Sequence, residues 1–86
     1  MKIEVINYLD DDGHFNCIPV DADSNNRNKI KKYLMEQDLD CGLLSDNNIT
    51  IPDDFYIMSN EEFKEYMNNF VQRGRLEIIT VDVYMG

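Results

Sequence analysis

The segment from Ser59 to Gly74 constrains the fold most, because it carries the signals of one complete amphipathic helix. Ser59 and Glu62 have the spacing of a capping box, in which the first side chain caps the helix and the second reaches back. Apolar residues then follow at helical spacing along one face: Phe63, Tyr66, Met67, Phe70 and Val71. Gly74 is suited to a left-handed C-cap. This helix has to bury its apolar face against another element.

The first 20 residues predict a β-hairpin. Residues 2–9 alternate with the period of a half-buried strand. The apolar side of that strand consists of Ile3, Val5 and Leu9. Gly13 can adopt the positive φ of a hairpin loop, so residues 14–20 are expected to return as an antiparallel partner. Pro19 cannot donate to a ladder, which places the end of that strand at a sheet edge or a bulge.

The middle of the chain predicts one helix and a second, shorter hairpin. The helix is expected from about Asn25 to Gln37, with its N-cap supplied by residues 21–24. Alternation over residues 39–43 and an extended stretch at 49–51 predict the hairpin. The apolar residues after it, Phe55, Tyr56, Ile57 and Met58, fit either a brief strand or a lead-in to the next helix.

The last segment, residues 75–84, is β-branched and apolar on both faces over much of its length, which is typical of an interior strand. The predicted fold is therefore a small α+β domain that spans residues 1–86. Its sheet is largely antiparallel with about five strands, and two helices pack on one face, in the order β-β-α-β-β-(β)-α-β. A chain of 86 residues is long enough for one modest core.

The charge balance limits the class of partner. The chain has 17 acidic and 8 basic residues and a net charge of -9. We therefore expect no direct binding to nucleic acid or to an anionic membrane, because both depend on Lys and Arg. Four cations fall within one stretch of the first predicted helix: Arg27, Lys29, Lys31 and Lys32. The acids that local structure explains least are the predicted partner-binding residues: Asp10, Asp11, Asp12, Asp38, Asp40, Asp53 and Asp54.

No motif for metal binding or catalysis is complete in this sequence. Asp21, Asp23 and Asn25 match the first ligand positions of a calcium loop, but Asn26 and Lys32 stand where a Gly and a Glu are needed, so a helix cap is favoured. The hairpin loop of residues 10–14 offers carboxylates and a histidine from a single exposed turn, and we expect no specific metal there.

Neither cysteine is expected to serve a metal site or catalysis. His14 and Cys17 lack enough further ligands for a closed zinc site, because Cys41 is the one cysteine left. Cys17 shares a strand face with Phe15 and is expected to point into the core, so both thiols are predicted to be buried and inert. We expect no catalytic residue, no cofactor and no enzymatic activity.

Two hypotheses for function follow. The first is a small acidic protein-binding module, an inhibitor that presents carboxylates to the basic surface of a nuclease or another nucleic-acid-binding protein. In size, acidity and lack of catalytic residues the chain resembles anti-restriction and anti-CRISPR proteins of phages and mobile elements, and acidic nuclease immunity proteins. This resemblance is one of bulk character. The alternative is a non-catalytic accessory or self-associating domain, such as a homodimer, whose acidity serves solubility.

The expected location is the cytoplasm. No apolar run approaches the ~20 residues of a membrane span, and the first residues alternate where a signal peptide would be continuously apolar. We therefore expect a soluble protein with no membrane partner.

Overall fold

The structure is a computed structural model that describes residues 1–21 and 23–83. It is a small α+β fold with two α-helices and a three-stranded antiparallel sheet. The elements are β1 (Lys2–Leu9), β2 (Phe15–Pro19), α1 (Ser24–Cys41), a short 3-10 helix (Ser45–Asn47), α2 (Asn60–Val71) and β3 (Glu77–Asp82).

Backbone contacts divide the described chain into two compact units. The sheet unit consists of residues 1–21 and 59–83, and it contains the three strands and α2. The α1 unit consists of residues 23–58. That residues 1–86 form a single domain stays a prediction.

The sheet has the order β2-β1-β3, so β1 is central and antiparallel to both neighbours. The hairpin of β1 and β2 is confirmed, and Pro19 ends β2 at a sheet edge as predicted. The prediction of an interior strand at residues 75–84 is wrong, because β3 is the other edge strand. Apolar residues on both of its faces do not fix its place in the sheet. Tyr84 lies outside the described residues.

The two faces of the sheet differ in what covers them. α2 lies on the face that carries Glu4, because Lys64 Nζ of α2 is 2.8 Å from Glu4 Oε1. The same face carries Ile6 and Tyr8, both buried. Ile3, Val5 and Leu9 point to the opposite face, together with Phe15, Cys17, Pro19, Ile79 and Val81. We call this opposite side the open face, since α2 does not cover it.

The open face corrects a prediction about β1. The sequence placed Ile3, Val5 and Leu9 on the buried side, but the side that faces α2 is the one with Ile6 and Tyr8. Alternation shows which residues share a face and does not show which face a helix covers. Val5 is buried as expected, but Leu9 is 50% exposed and Ile3 is half-buried, so these three residues did not identify the side that α2 covers.

α2 forms as its sequence signals predict. Ser59 Oγ accepts a hydrogen bond from the backbone N–H of Glu62 and donates one to the Glu62 carboxylate. The buried residues of the helix are Phe63, Met67 and Phe70. Beyond its end, Gly74 has φ 70, and the N–H groups of Gly74 and Arg75 donate to the carbonyls of Val71 and Phe70. This pair of bonds is a Schellman motif, which stops the helix at the predicted glycine.

The α1 unit departs most from the prediction. Asp23 caps α1 by accepting from the N–H groups of Asn25 and Asn26, which confirms the cap. The helix, however, continues to Cys41 and ends at Gly42 with φ 69. The predicted hairpin at 39–43 and 49–51 is wrong, so the sheet has three strands where about five were expected. Three alternating residues fit a last helical turn equally well.

The segment that leads to α2 is a turn. Residues 53–57 form consecutive turns, in which the N–H of Phe55 donates to the carbonyl of Pro52 and the N–H of Ile57 to that of Asp54. Phe55 and Met58 are buried, while Ile57 is exposed.

Among the described residues, no helix has both the length and the apolar character to cross a membrane.

Candidate functional site

The tip of the β1–β2 hairpin is organised by one carboxylate. Asp10 Oδ1 accepts from the backbone N–H groups of Asp12 at 3.0 Å and His14 at 2.9 Å, and Oδ2 accepts from Asn16 Nδ2 at 3.0 Å. The bond from His14 and then that from Asn16 lower the pKa of Asp10, because both favour its charged form. Gly13 has φ 83, as the loop requires. Asp10 therefore fixes the loop, and Asp11 and Asp12 are exposed at its tip.

The same loop brings together three groups that ligate metals in other proteins. One ligand atom from each of Asp10, Asp12 and His14 lies within 4.8 Å of the others. Asp12 and His14 are exposed, and both oxygens of Asp10 already accept hydrogen bonds from the loop. The hydrogen bonding of a tight hairpin turn accounts for this cluster.

A second carboxylate organises the loop that follows α1. Asp38 Oδ1 accepts from Leu44 N at 3.0 Å, from Ser45 N at 2.8 Å and from Ser45 Oγ at 2.9 Å. The two bonds from Ser45 lead the effects that lower the pKa of Asp38. The charged carboxylate is therefore part of the structure that ends α1. Asp40, two residues later, is exposed.

The predicted binding residues thus divide into two groups. Asp10 and Asp38 hold backbone turns, whereas the other five are exposed: Asp11, Asp12, Asp40, Asp53 and Asp54. The residues from 10 to 12 belong to the sheet unit and the remaining four to the α1 unit. Within each unit, the exposed acids lie at turns or at a helix end.

In the basic stretch of α1, two lysines are exposed and one is half-buried, while the arginine of the predicted cluster is buried. Arg27 is 1% exposed, and its Nη1 donates to the carbonyl of Phe55 at 3.0 Å. Burial lowers the pKa of Arg27. The lysines at 29 and 32 are exposed and Lys31 is half-buried, with Nζ 5.2 Å from the centre of the Tyr56 ring. This distance fits a cation–π contact.

An apolar groove lies beside these lysines. The Tyr56 hydroxyl and Asn28 Oδ1 are 3.2 Å apart, so a hydrogen bond fixes the tyrosine at one side of the groove. Leu39 is 88% exposed and Met35 is also exposed, one helical turn before it. These residues, together with Lys31 and Lys32, line an open cavity of about 400 Å³. We call it the α1 groove.

The open face is a second surface with exposed apolar residues. Leu9 is 50% and Phe15 86% exposed, and the two are cross-strand partners. Cys17 is exposed on the same face, and Cys41 is exposed on α1, so the prediction of two buried thiols is wrong. Asn7 Nδ2 lies 3.4 Å from Glu77 Oε1 across the sheet.

The end of the open face is concave. Asn7, Leu9, Phe15, Arg75 and Glu77 help to line an open cavity of about 400 Å³ there. Sequence reasoning placed Ile3, Val5 and Leu9 on one side of β1, and Phe15 with Cys17 on one side of β2, and it assigned both sides to the core. The alternation of apolar residues in β1 and in β2 is visible in the sequence. It shows which residues share a face, but it does not show which face α2 covers.

Comparisons with known proteins identify no family for the chain. Neither a protein-family model, nor a curated protein, nor a solved structure matches the chain. The arguments about function therefore depend on the surfaces described above.

Proposed function

We propose that the protein is a small acidic binding module that inhibits a partner by presenting carboxylates to its basic surface. The observation that carries this proposal is the pair of acidic turns, in which Asp11 with Asp12 and Asp53 with Asp54 are exposed on a chain of net charge -9. The partner is a protein whose basic surface normally holds nucleic acid, such as a nuclease. Exposed carboxylates can occupy the positions of backbone phosphates on such a surface.

The hairpin tip has the features of a preorganised binding element. Asp10 uses its carboxylate to hold the backbone of the loop, so the neighbouring Asp11 and Asp12 are displayed on a fixed turn. A fixed turn loses less entropy on binding than a flexible one. Complementary charge raises the association rate, and this effect weakens as salt screens it.

The test uses purified nucleases as probes, with lysozyme as a basic protein that does not hold nucleic acid. We expect the immobilised protein to retain a nuclease at ~50 mM salt and to release it as the salt concentration rises. D11K/D12K and D53K/D54K should each slow association. E61K/E65K, on the exposed side of α2, changes the net charge by the same amount and is the matched control.

The outcomes separate a specific surface from a general charge effect. Loss of binding in the turn variants with retention in E61K/E65K supports the proposal. Equal loss in all three variants, equal retention of lysozyme, or no retention of any nuclease would each overturn it.

A second candidate function, self-association, is favoured by the exposed apolar residues of the open face, Leu9 and Phe15 above all. The two candidates differ in how they respond to salt. Binding to a basic partner weakens as salt rises, whereas association between two acidic copies strengthens.

A further inference from the structure

The α1 groove has one fixed wall. The Tyr56 hydroxyl donates to Asn28 Oδ1, and the Tyr56 ring meets that of the buried Phe55 edge to face, with 5.9 Å between the ring centres. Lys31 Nζ lies over the same ring, 5.2 Å from its centre. A side chain that is held before binding loses less entropy when a ligand arrives. The groove is therefore preorganised on the side of Tyr56.

The α1 side of the groove is a stripe that is basic at one end and apolar at the other. Its basic end consists of Lys31 and Lys32. Its apolar end consists of Met35 and Leu39, which are exposed and lie one and two helical turns after Lys32. A helix rises ~1.5 Å per residue, so the two ends are separated by about 10 Å along α1. A ligand for this groove therefore combines negative charge with apolar groups further along.

No acid of the described chain neutralises the lysines of this stripe by an ion pair. Lys31 and Lys32 also lie in the first half of α1, where cations do not complement the helix dipole. In a chain of net charge -9 they reduce the net charge, so solubility does not account for them either. Glu36 is half-buried and is the acidic residue among those that line the groove. Two lysines against one carboxylate leave a local excess of positive charge for a ligand to meet.

Charge and shape together select a protein segment as the occupant. A short acidic segment meets the lysines locally, because charges more than ~8 Å away are largely screened at physiological salt. An anionic membrane, in contrast, presents an extended negative surface to a chain of net charge -9. A nucleic acid strand carries phosphates at regular intervals, which the apolar end formed by Met35 and Leu39 cannot pair. A protein segment can place carboxylates at one end of the stripe and apolar side chains at the other.

We propose that the α1 groove binds a short acidic amphipathic helix of a partner protein. Amphipathic helices dock into grooves through apolar side chains at i, i+3 or i+4, and i+7. Two turns of such a helix span about 10 Å, which matches the separation of Lys32 and Leu39 along α1. The carboxylates of the helix meet the lysines, and its apolar side chains pack at the other end of the stripe. This partner is opposite in charge to one that the acidic turns would bind, so the inference does not depend on the proposed function.

Fluorescence polarisation of a labelled peptide, titrated with the full chain, tests the proposal. The probe is a helical peptide of about 15 residues, with glutamates in its first two turns and leucines on the same face in the next two. We expect a dissociation constant of about 10–100 µM. Replacing the glutamates with glutamine should weaken binding about tenfold. A peptide of the same composition, with the leucines spread around the helix, should lose a similar factor, because it has no apolar stripe.

Variants of the groove locate the binding site. K31E/K32E reverses the charge of the basic end, and M35S/L39S removes the apolar end. Each should weaken binding of the probe about tenfold or more, because one end of the stripe no longer complements the peptide. Circular dichroism shows whether each variant folds.

Two matched controls change the same properties elsewhere. K2E/R73E makes the same change in net charge with two exposed cations of the sheet unit. L9S/F15S removes two exposed apolar side chains from the open face. Both controls should bind the probe within about twofold of the wild type.

The outcomes separate the groove from a general charge effect and from other ligands. No binding of the probe at about 1 mM chain would overturn the proposal. So would full binding by K31E/K32E or by M35S/L39S, or an equal loss in K2E/R73E, since net charge and not the groove would then control binding. Vesicles of phosphatidylserine and a single-stranded oligonucleotide are tested in parallel. Binding of either one that K31E/K32E abolishes would also overturn the proposal, because the groove would then belong to that ligand.

Discussion

Replacing Phe70 with alanine tests where the sheet unit has its core. Phe70 is fully buried on α2, and its ring meets that of Tyr66 edge to face, with 5.4 Å between the ring centres. Truncating a buried phenylalanine costs about 3 to 5 kcal/mol, because the transfer free energy of the ring is lost and a cavity remains. A chain of 86 residues has a free energy of unfolding of about 4 to 13 kcal/mol. F70A should therefore lose a large share of its stability, as measured by urea unfolding.

Phe15→Ala is the matched control for this measurement. It deletes the same atoms from a ring that is 86% exposed, and we expect a loss below about 1 kcal/mol from its cross-strand contact with Leu9. Equal destabilisation by F70A and F15A would refute the assignment of Phe70 to the core and of Phe15 to the surface.

The remaining predictions concern the carboxylate and the glycine that end α1. The pKa of Asp38 is lowered in the folded chain, so its contribution to stability is complete above the ordinary value of 3.8 and is lost as pH falls through the lowered pKa. Urea melts should show D38N less stable than the wild type at pH 7, with the difference shrinking below pH 3.8; a difference independent of pH would contradict this. Gly42→Ala should destabilise more than Gly74→Ala in thermal melts. Both glycines have positive φ, but only at Gly42 would the added carbon meet the Asp46 carboxylate.

α2 was predictable because every signal for it lies within the helix and its flanks. The capping residues, the spacing of the apolar residues and Gly74 each act over a few residues, and all of them indicate the same element. The sheet was predictable only in part. The alternation of residues along β1 correctly placed Leu9 on the same face as Ile3 and Val5. Which face is covered depends on α2, which lies about 50 residues further along the chain.

The candidate site was less predictable, because the roles of its charged residues depend on distant partners. Burial of Arg27 depends on the carbonyl of Phe55, 28 residues away. Asp38 is held by N–H groups six and seven residues later, which a reading of local periodicity does not include. Sequence alone identified the exposed acidic turns, and the structure separates them from the carboxylates that support the backbone.

The central position of β1 has a consequence for the order of folding. β1 is made first, and its pairing with β3 joins residues as far apart as Lys2 and Asp82. The hairpin with β2 can form as soon as residue 19 has left the ribosome, but the sheet cannot be completed until β3 has been synthesised. Contacts over such a distance slow folding, since the chain between them must close into a loop. During that interval one edge of β1 is unpaired, and its backbone groups can bind a chaperone or another nascent chain.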